Sequence, residues 1–121
     1  MQAKDGLGRY GERVAVRRLI DDGYDIVECN WRCDDGEIDI IATRDGVISF
    51  VEVKTRSSNR FGEPGEAVGL QKQKKIRELA AIWLRERGHI ESGPSGLSFD
   101  VIEVRHADKG PAGVTHLREA F

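Results

Sequence analysis

Cysteine is scarce in this chain: Cys29 and Cys33 are the only two among 121 residues. A disulfide framework is therefore not expected. A C-x3-C pair with no second Cys or His pair beside it is also a poor zinc site. The expectation is two small, partly buried thiols near a strand end. Long apolar runs are missing too, and no stretch approaches the roughly 20 residues of a transmembrane helix. Met1 to Arg13 is polar and charged and lacks the apolar core of a signal peptide. The cytoplasm is the expected address, and no membrane partner is expected. Aromatic residues make up only 7%, which argues against a stacking platform of the single-strand-binding type.

Excess charge of one sign is absent as well, because the net charge is -2. That average hides an asymmetry. From Lys54 to Arg87 nine Lys/Arg face four Glu, giving +5, while the rest of the chain carries -7. A basic segment on an acidic chain can form a local phosphate-attracting face. On charge alone, a solvated helix face is the favoured explanation.

What is present suits one small domain over residues 1–121. A chain this long can bury roughly two-thirds of its unfolded surface without staples. Leu7 to Asp22 has helical spacing in Leu7, Ala15, Val16, Leu19 and Ile20, with Gly23 as a stop. Tyr24 to Trp31 reads as a strand. Asp34-Asp35-Gly36 is a turn, and Glu37 to Thr43 is an Ile-rich second strand. The Asp45-Gly46 pair is a hairpin signal, so Val47 to Thr55 should return antiparallel.

Arg56 to Gly65 reads as a loop. Ala67 to Arg87 is a second helix with Val68, Ile76, Leu79, Ala80 and Trp83 as its apolar stripe, and Gly88 stops it. After a turn at Gly93 to Gly96, Leu97 to Val104 is a fourth strand. His106 to Gly113 is a loop, and Val114 to Leu117 is a candidate edge strand. The order α-β-β-β-α-β implies an α/β fold with a mixed sheet of four to five strands flanked by two helices.

Three places break the apolar pattern. Asp39 stands among Ile38, Ile40 and Ile41, where a lone carboxylate is costly unless it is paired or binds a cation. Glu52 and Lys54 alternate with Val51 and Val53, so both point to one face of their strand. Glu12 lies in line with Ala15, Val16 and Leu19, on or beside the core-facing stripe of the first helix. Each has an ordinary alternative: a strand-end Asp, a wet hairpin face, a long side chain reaching water. Together they are sharper. A short hairpin lets Asp39 and Glu52 converge, and two carboxylates with a strand carbonyl and waters suit Mg²⁺. Lys54 could then neutralise a phosphate or orient a water.

Asp39, twelve intervening residues, then Glu52-Val53-Lys54 resembles the signature of the PD-(D/E)xK nuclease superfamily. Ile38 stands where the motif has proline, a change that superfamily tolerates. The chain also resembles the YraN-like family of small bacterial proteins, which are similar to archaeal Holliday-junction resolvases. The resemblance covers nearly the whole chain. It includes Gly11-Glu12, Asn30-Trp31-Arg32, Gly36 to Ile41, Phe50 to Arg56, Phe61-Gly62, Glu66-Ala67-Val68, Lys72-Gln73, Phe99-Asp100-Val101 and Ala120-Phe121.

The resemblance implies a restriction-endonuclease-like core and a Mg²⁺- or Mn²⁺-dependent endonuclease acting on DNA, branched or structured. It implies Asp39 and Glu52 as metal ligands, Lys54 as the catalytic lysine and Glu12 as an auxiliary ligand or base. It also implies Arg56, with the loop to Gly65, and Lys72 and Gln73 as nucleic-acid contacts. Lys74 belongs to the same basic helix. Resolvase-like enzymes tend to be dimers, although no dimer face is readable here. Two other classes compete with the nuclease: a non-catalytic nucleic-acid-binding module, and a protein in which these charges are internal ion pairs. The histidines His89, His106 and His116 have no ligand spacing and receive no role.

Overall fold

The computed structural model describes residues 6–57, 68–87, 96–107 and 110–121. The chain runs α1 (Gly6–Asp21), β1 (Asp25–Cys33), β2 (Gly36–Arg44), β3 (Val47–Ser57), α2 (Leu70–Glu86), β4 (Gly96–His106) and β5 (Gly113–Leu117). All five strands form one sheet in the order β1-β2-β3-β4-β5. The pairing is antiparallel except between β3 and β4, which run parallel with Val47 opposite Gly96. The expected mixed α/β sheet with two helices is thus present, and the candidate fifth strand is part of it.

Local chemistry explains the hairpins. Asp45 and Gly46 both have positive φ, 53° and 79°. That is the backbone a two-residue primed turn requires, and Asp and Gly tolerate it best. Arg44 accordingly pairs with Val47. At the β1–β2 turn Gly36 has φ 150°, and a Cβ there would come within 3.3 Å of Leu79.

The helices cover opposite faces of the sheet. On one face Ala15 and Leu19 of α1 pack with Ile40, Ala42, Val51, Ile102 and Val104. On the other, Ile76, Leu79, Ala80 and Trp83 of α2 pack with Ile41, Ile48, Phe50, Phe99 and Val101. Such apolar burial is the main force holding the layers together.

Several boundaries differ from expectation. Leu70 is the first residue of α2, and Ala67 lies outside the described residues. Gly69 is extended (φ -65°, ψ 161°), so Val68 joins the core from before the helix rather than from its stripe. Arg56 and Ser57 are strand, not loop, because the parallel register with β4 continues through Ser57 opposite His106. The rest of the expected loop, 58–65, is outside the described residues, as are His89, the expected stop at Gly88 and most of the Gly93-to-Gly96 turn. His106 belongs to β4 and Gly113 to β5, which shortens the expected loop between them. Cys33 is half-buried at a strand end as expected, but Cys29 is exposed and lies inside β1. Among the described residues, neither forms a disulfide.

Candidate functional site

The β2–β3 ladder is paired from Arg44/Val47 as far as Ile40/Val51 and no further. Beyond that point the Asp39 side chain takes over from the ladder: the Val53 N–H donates to Asp39 Oδ2 at 2.9 Å. A cleft of about 320 Å³ opens there, between the first turns of both helices. Gly8 and Glu12 of α1, Asp39 of β2, Glu52 and Thr55 of β3 and Lys72 of α2 all line it.

A close approach of backbone to strand brings α1 to this cleft. A Cβ at Gly11 would sit 1.8 Å from Thr55 Oγ1. Only glycine lets the helix come this near. Its neighbour Glu12 is therefore carried to the cleft wall, where it is 8% exposed.

Asp39 is equally buried, at 8%. Glu52 meets it inside the cleft, and the pair disturbs Glu52 strongly. Its pKa rises from 4.5 to about 7, first because burial disfavours the charge, then because of the Asp39 charge and a hydrogen bond to Asp39. Lys72 pulls the other way, with its Nζ 3.4 Å from Glu52 Oε2. Two carboxylates that share so little space hold a proton near neutral pH. An oxygen pair of this kind suits a hard divalent cation, which can take the place of that proton. Among the described residues, no three His, Cys, Asp or Glu side chains come together as a metal-binding group. The Asp39–Glu52 pair supplies adjacent carboxylate oxygens, and Glu12 and Glu37 also line the cleft.

The remaining expected residues are distributed as follows. Lys54 is half-buried two positions beyond Glu52, on the same strand face, and does not line the cleft. It lies directly opposite Glu103 of β4. Glu103 is itself 2% exposed and was not found by sequence reasoning. Arg56 Nε is 3.8 Å from Glu103 Oε2. Arg105 Nε lies 2.9 Å from Glu103 Oε1, a charge contact rather than an aligned hydrogen bond. Gln73 is occupied locally, its Nε2 donating to the Val68 carbonyl at 2.8 Å at the start of α2. Lys74 is exposed and away from the cleft lining.

A second polar cluster also escaped the sequence reading. His116, given no role from the sequence, lies in β5, where its Nε2 bonds Asp100 Oδ2 at 2.7 Å. The Ser98 hydroxyl donates to Asp100 Oδ1, and the Glu119 N–H reaches the same oxygen at 3.2 Å. Burial alone would raise the Asp100 pKa. The bonds from His116, Ser98 and Glu119 outweigh it and hold the carboxyl below its usual 3.8. Asp100 sits in the middle of this set, so it anchors β5 rather than activating a nucleophile. The alternating strand pattern held the only clue, a polar Asp100 between Phe99 and Val101.

Fold and cleft together define a mixed-sheet α/β protein with a carboxylate–lysine cleft where two strands part. The chain belongs to the family described as "Uncharacterised protein family UPF0102", whose model matches residues 11–104. A UPF0102 protein of Frankia alni is 51% identical over 122 residues, spanning 100% of this chain and 98% of that protein. One from Beutenbergia cavernae is 49% identical over 118 residues, with 98% of both chains covered. One from Clostridium perfringens is 44% identical over 117 residues, covering 95% and 93%. The family-level resemblance drawn from the sequence therefore holds. No helix among the described residues is long and apolar enough to cross a membrane.

Proposed function

We propose that the cleft is a divalent-cation-dependent site that hydrolyses phosphodiester bonds of nucleic acid, with DNA as the expected substrate. One observation carries this reading: Asp39 and Glu52 converge where β2 and β3 part, and the Glu52 pKa is raised to about 7. Structural carboxylates are normally given donors that lower their pKa, whereas sites for cations and for chemistry keep them crowded. Mg²⁺ or Mn²⁺ would supply a Lewis acid for the phosphoryl oxygens. Asp39 and Glu52 would hold the cation, with substrate oxygens and waters completing the shell.

Each neighbouring group has a task in this scheme. The Val53 N–H holds Asp39 in place. Glu12, on the same wall, would orient a water or accept its proton. Lys54 would counter charge that develops on the phosphate. Lys72 would add a positive contact in the cleft, and Arg56, Gln73 and Lys74, which do not line it, would meet the nucleic acid only outside the cleft. The cytoplasm is the address this activity fits.

A second reading, a binding module that does not cut, is favoured by one specific contact. The Lys72 ammonium, 3.4 Å from Glu52, already supplies a positive charge where the cation would act. Incubation of duplex, single-stranded and branched DNA with either metal separates the two. The hydrolytic reading expects metal-dependent cleavage by the wild type and none by Glu52→Gln. Tight binding without cleavage on every substrate would select the second reading, and neither binding nor cleavage would end both.

A further inference from the structure

A larger hollow, about 680 Å³, runs between the outer face of α1 and edge strand β1. Arg9, Arg13 and Arg17 line one wall at successive four-residue steps, so one helix face carries all three. Arg32 of β1 stands on the other wall. The floor is largely apolar, with Val16 and a 51%-exposed Ile20. Asn30 helps to shape it. Its φ of 55° interrupts the alternation of β1, leaving Cys29 and Asn30 exposed in succession. Glu12 lines both this groove and the carboxylate cleft, so the two hollows share a wall residue.

From this we infer that the α1–β1 groove holds an unpaired stretch of polynucleotide leading to the Asp39–Glu52 cleft. The inference rests on the nucleic-acid reading above and adds a substrate class to it. Guanidinium groups match phosphate oxygens in geometry and charge, and their planes also stack on bases. The arginine walls therefore suit the strand's phosphates, and Val16 and Ile20 suit a base face. A paired duplex keeps its base faces stacked inside and offers this floor only groove-edge methyl groups and sugars.

The contacts Arg17–Asp21 (3.3 Å) and Arg32–Glu37 (2.9 Å) are solvent-facing and exchangeable for phosphate. The basic residues of α2, in contrast, are dispersed around their helix. Lys72 faces Glu52, Lys75 faces Glu78, and Arg77 lies over Phe99 at 4.7 Å. A second copy of the chain is the competing occupant. A two-fold interface would set the same arginines against one another, a repulsive arrangement.

The test is fluorescence anisotropy in metal-free buffer, comparing blunt duplex DNA with the same duplex carrying a single-stranded tail. Wild type is expected to bind the tailed form about tenfold or more tightly, with a steep salt dependence. Arg13→Ala/Arg17→Ala should erase that preference and lower the salt slope by about 2. Arg32→Ala, on the opposite wall, should weaken tail binding independently. Because these side chains are exposed, unchanged melting curves should accompany the losses.

A wild type that binds blunt and tailed DNA equally overturns the inference, as does a preference that survives these changes. So does a wild-type dimer that Ile20→Asp converts to monomer in light scattering. Tail binding through the groove without metal-dependent cleavage would sink only the hydrolytic reading. Cleavage unaffected by the arginine changes would sink only the groove.

Discussion

Glu52 and Asp100 occupy adjacent strands one register step apart, since Asp100 pairs with Val51 and Glu52 with Val101. They face opposite sides of the sheet and meet opposite fates. Asp100 receives donors from His116, Ser98 and the Glu119 backbone, and its pKa falls. Glu52 receives a second carboxylate, and its pKa rises to about 7 despite Lys72. Burial acts on both in the same direction. The difference lies in what surrounds each oxygen: a full set of donors keeps a carboxylate ionised within the framework, and a crowded pair holds a proton near neutral pH.

Removing the framework carboxylate should have the larger effect. Asp100→Ala leaves His116 buried without its partner, so a loss of about 3–5 kcal/mol is expected in urea unfolding. A change under about 1 kcal/mol would show that Asp100 is not holding β5. Replacement at the cleft should act in the opposite direction. Glu52→Gln removes a carboxylate that is costly to ionise, and a gain of about 1–3 kcal/mol is expected at pH 8. The sign follows from the shift. A folded-state pKa above the unfolded value makes wild-type stability greatest when Glu52 is protonated and lowest above about pH 7. The advantage of Glu52→Gln should therefore shrink as pH falls from 7 towards 4.5. Asp100, with its lowered pKa, weakens the fold only as pH drops below about 3.8. A destabilised Glu52→Gln would instead mark the cleft as an internal ion-pair network.

Much of this comparison was legible in the sequence, but only its local half. Asp45-Gly46 announced the hairpin, and the hairpin in turn brought Asp39 and Glu52 onto neighbouring strands. Glu12 was readable from its place on the apolar stripe of α1. These signals depend on residues close together or on a short period. The Asp100–His116 bond depends on β5 pairing back onto β4, and Glu103 depends on parallel register across the α2 crossover. Neither pairing leaves a short-range trace beyond a polar residue standing among apolar ones in β4. The start of α2 was misplaced because Val68 is apolar at helical spacing yet joins the core from extended chain. The arginines of α1 were passed over because a row of charges on a helix is ordinary until β1 forms an opposite wall.

The single parallel joint between β3 and β4 divides the molecule into two pieces that are local in sequence. The β1-β2-β3 meander contains the whole Asp39–Glu52 pair, and the β4-β5 hairpin with the residues just after it contains the Asp100 cluster. Joining them sets Val47 beside Gly96, across a long intervening segment. Loop closure of that size is expected to be the slow event in folding, with the hairpins forming faster on either side. Val51→Ala, which thins the joint, is expected to slow refolding in stopped-flow measurements. If only the unfolding rate changed, the joint would close after the barrier rather than at it.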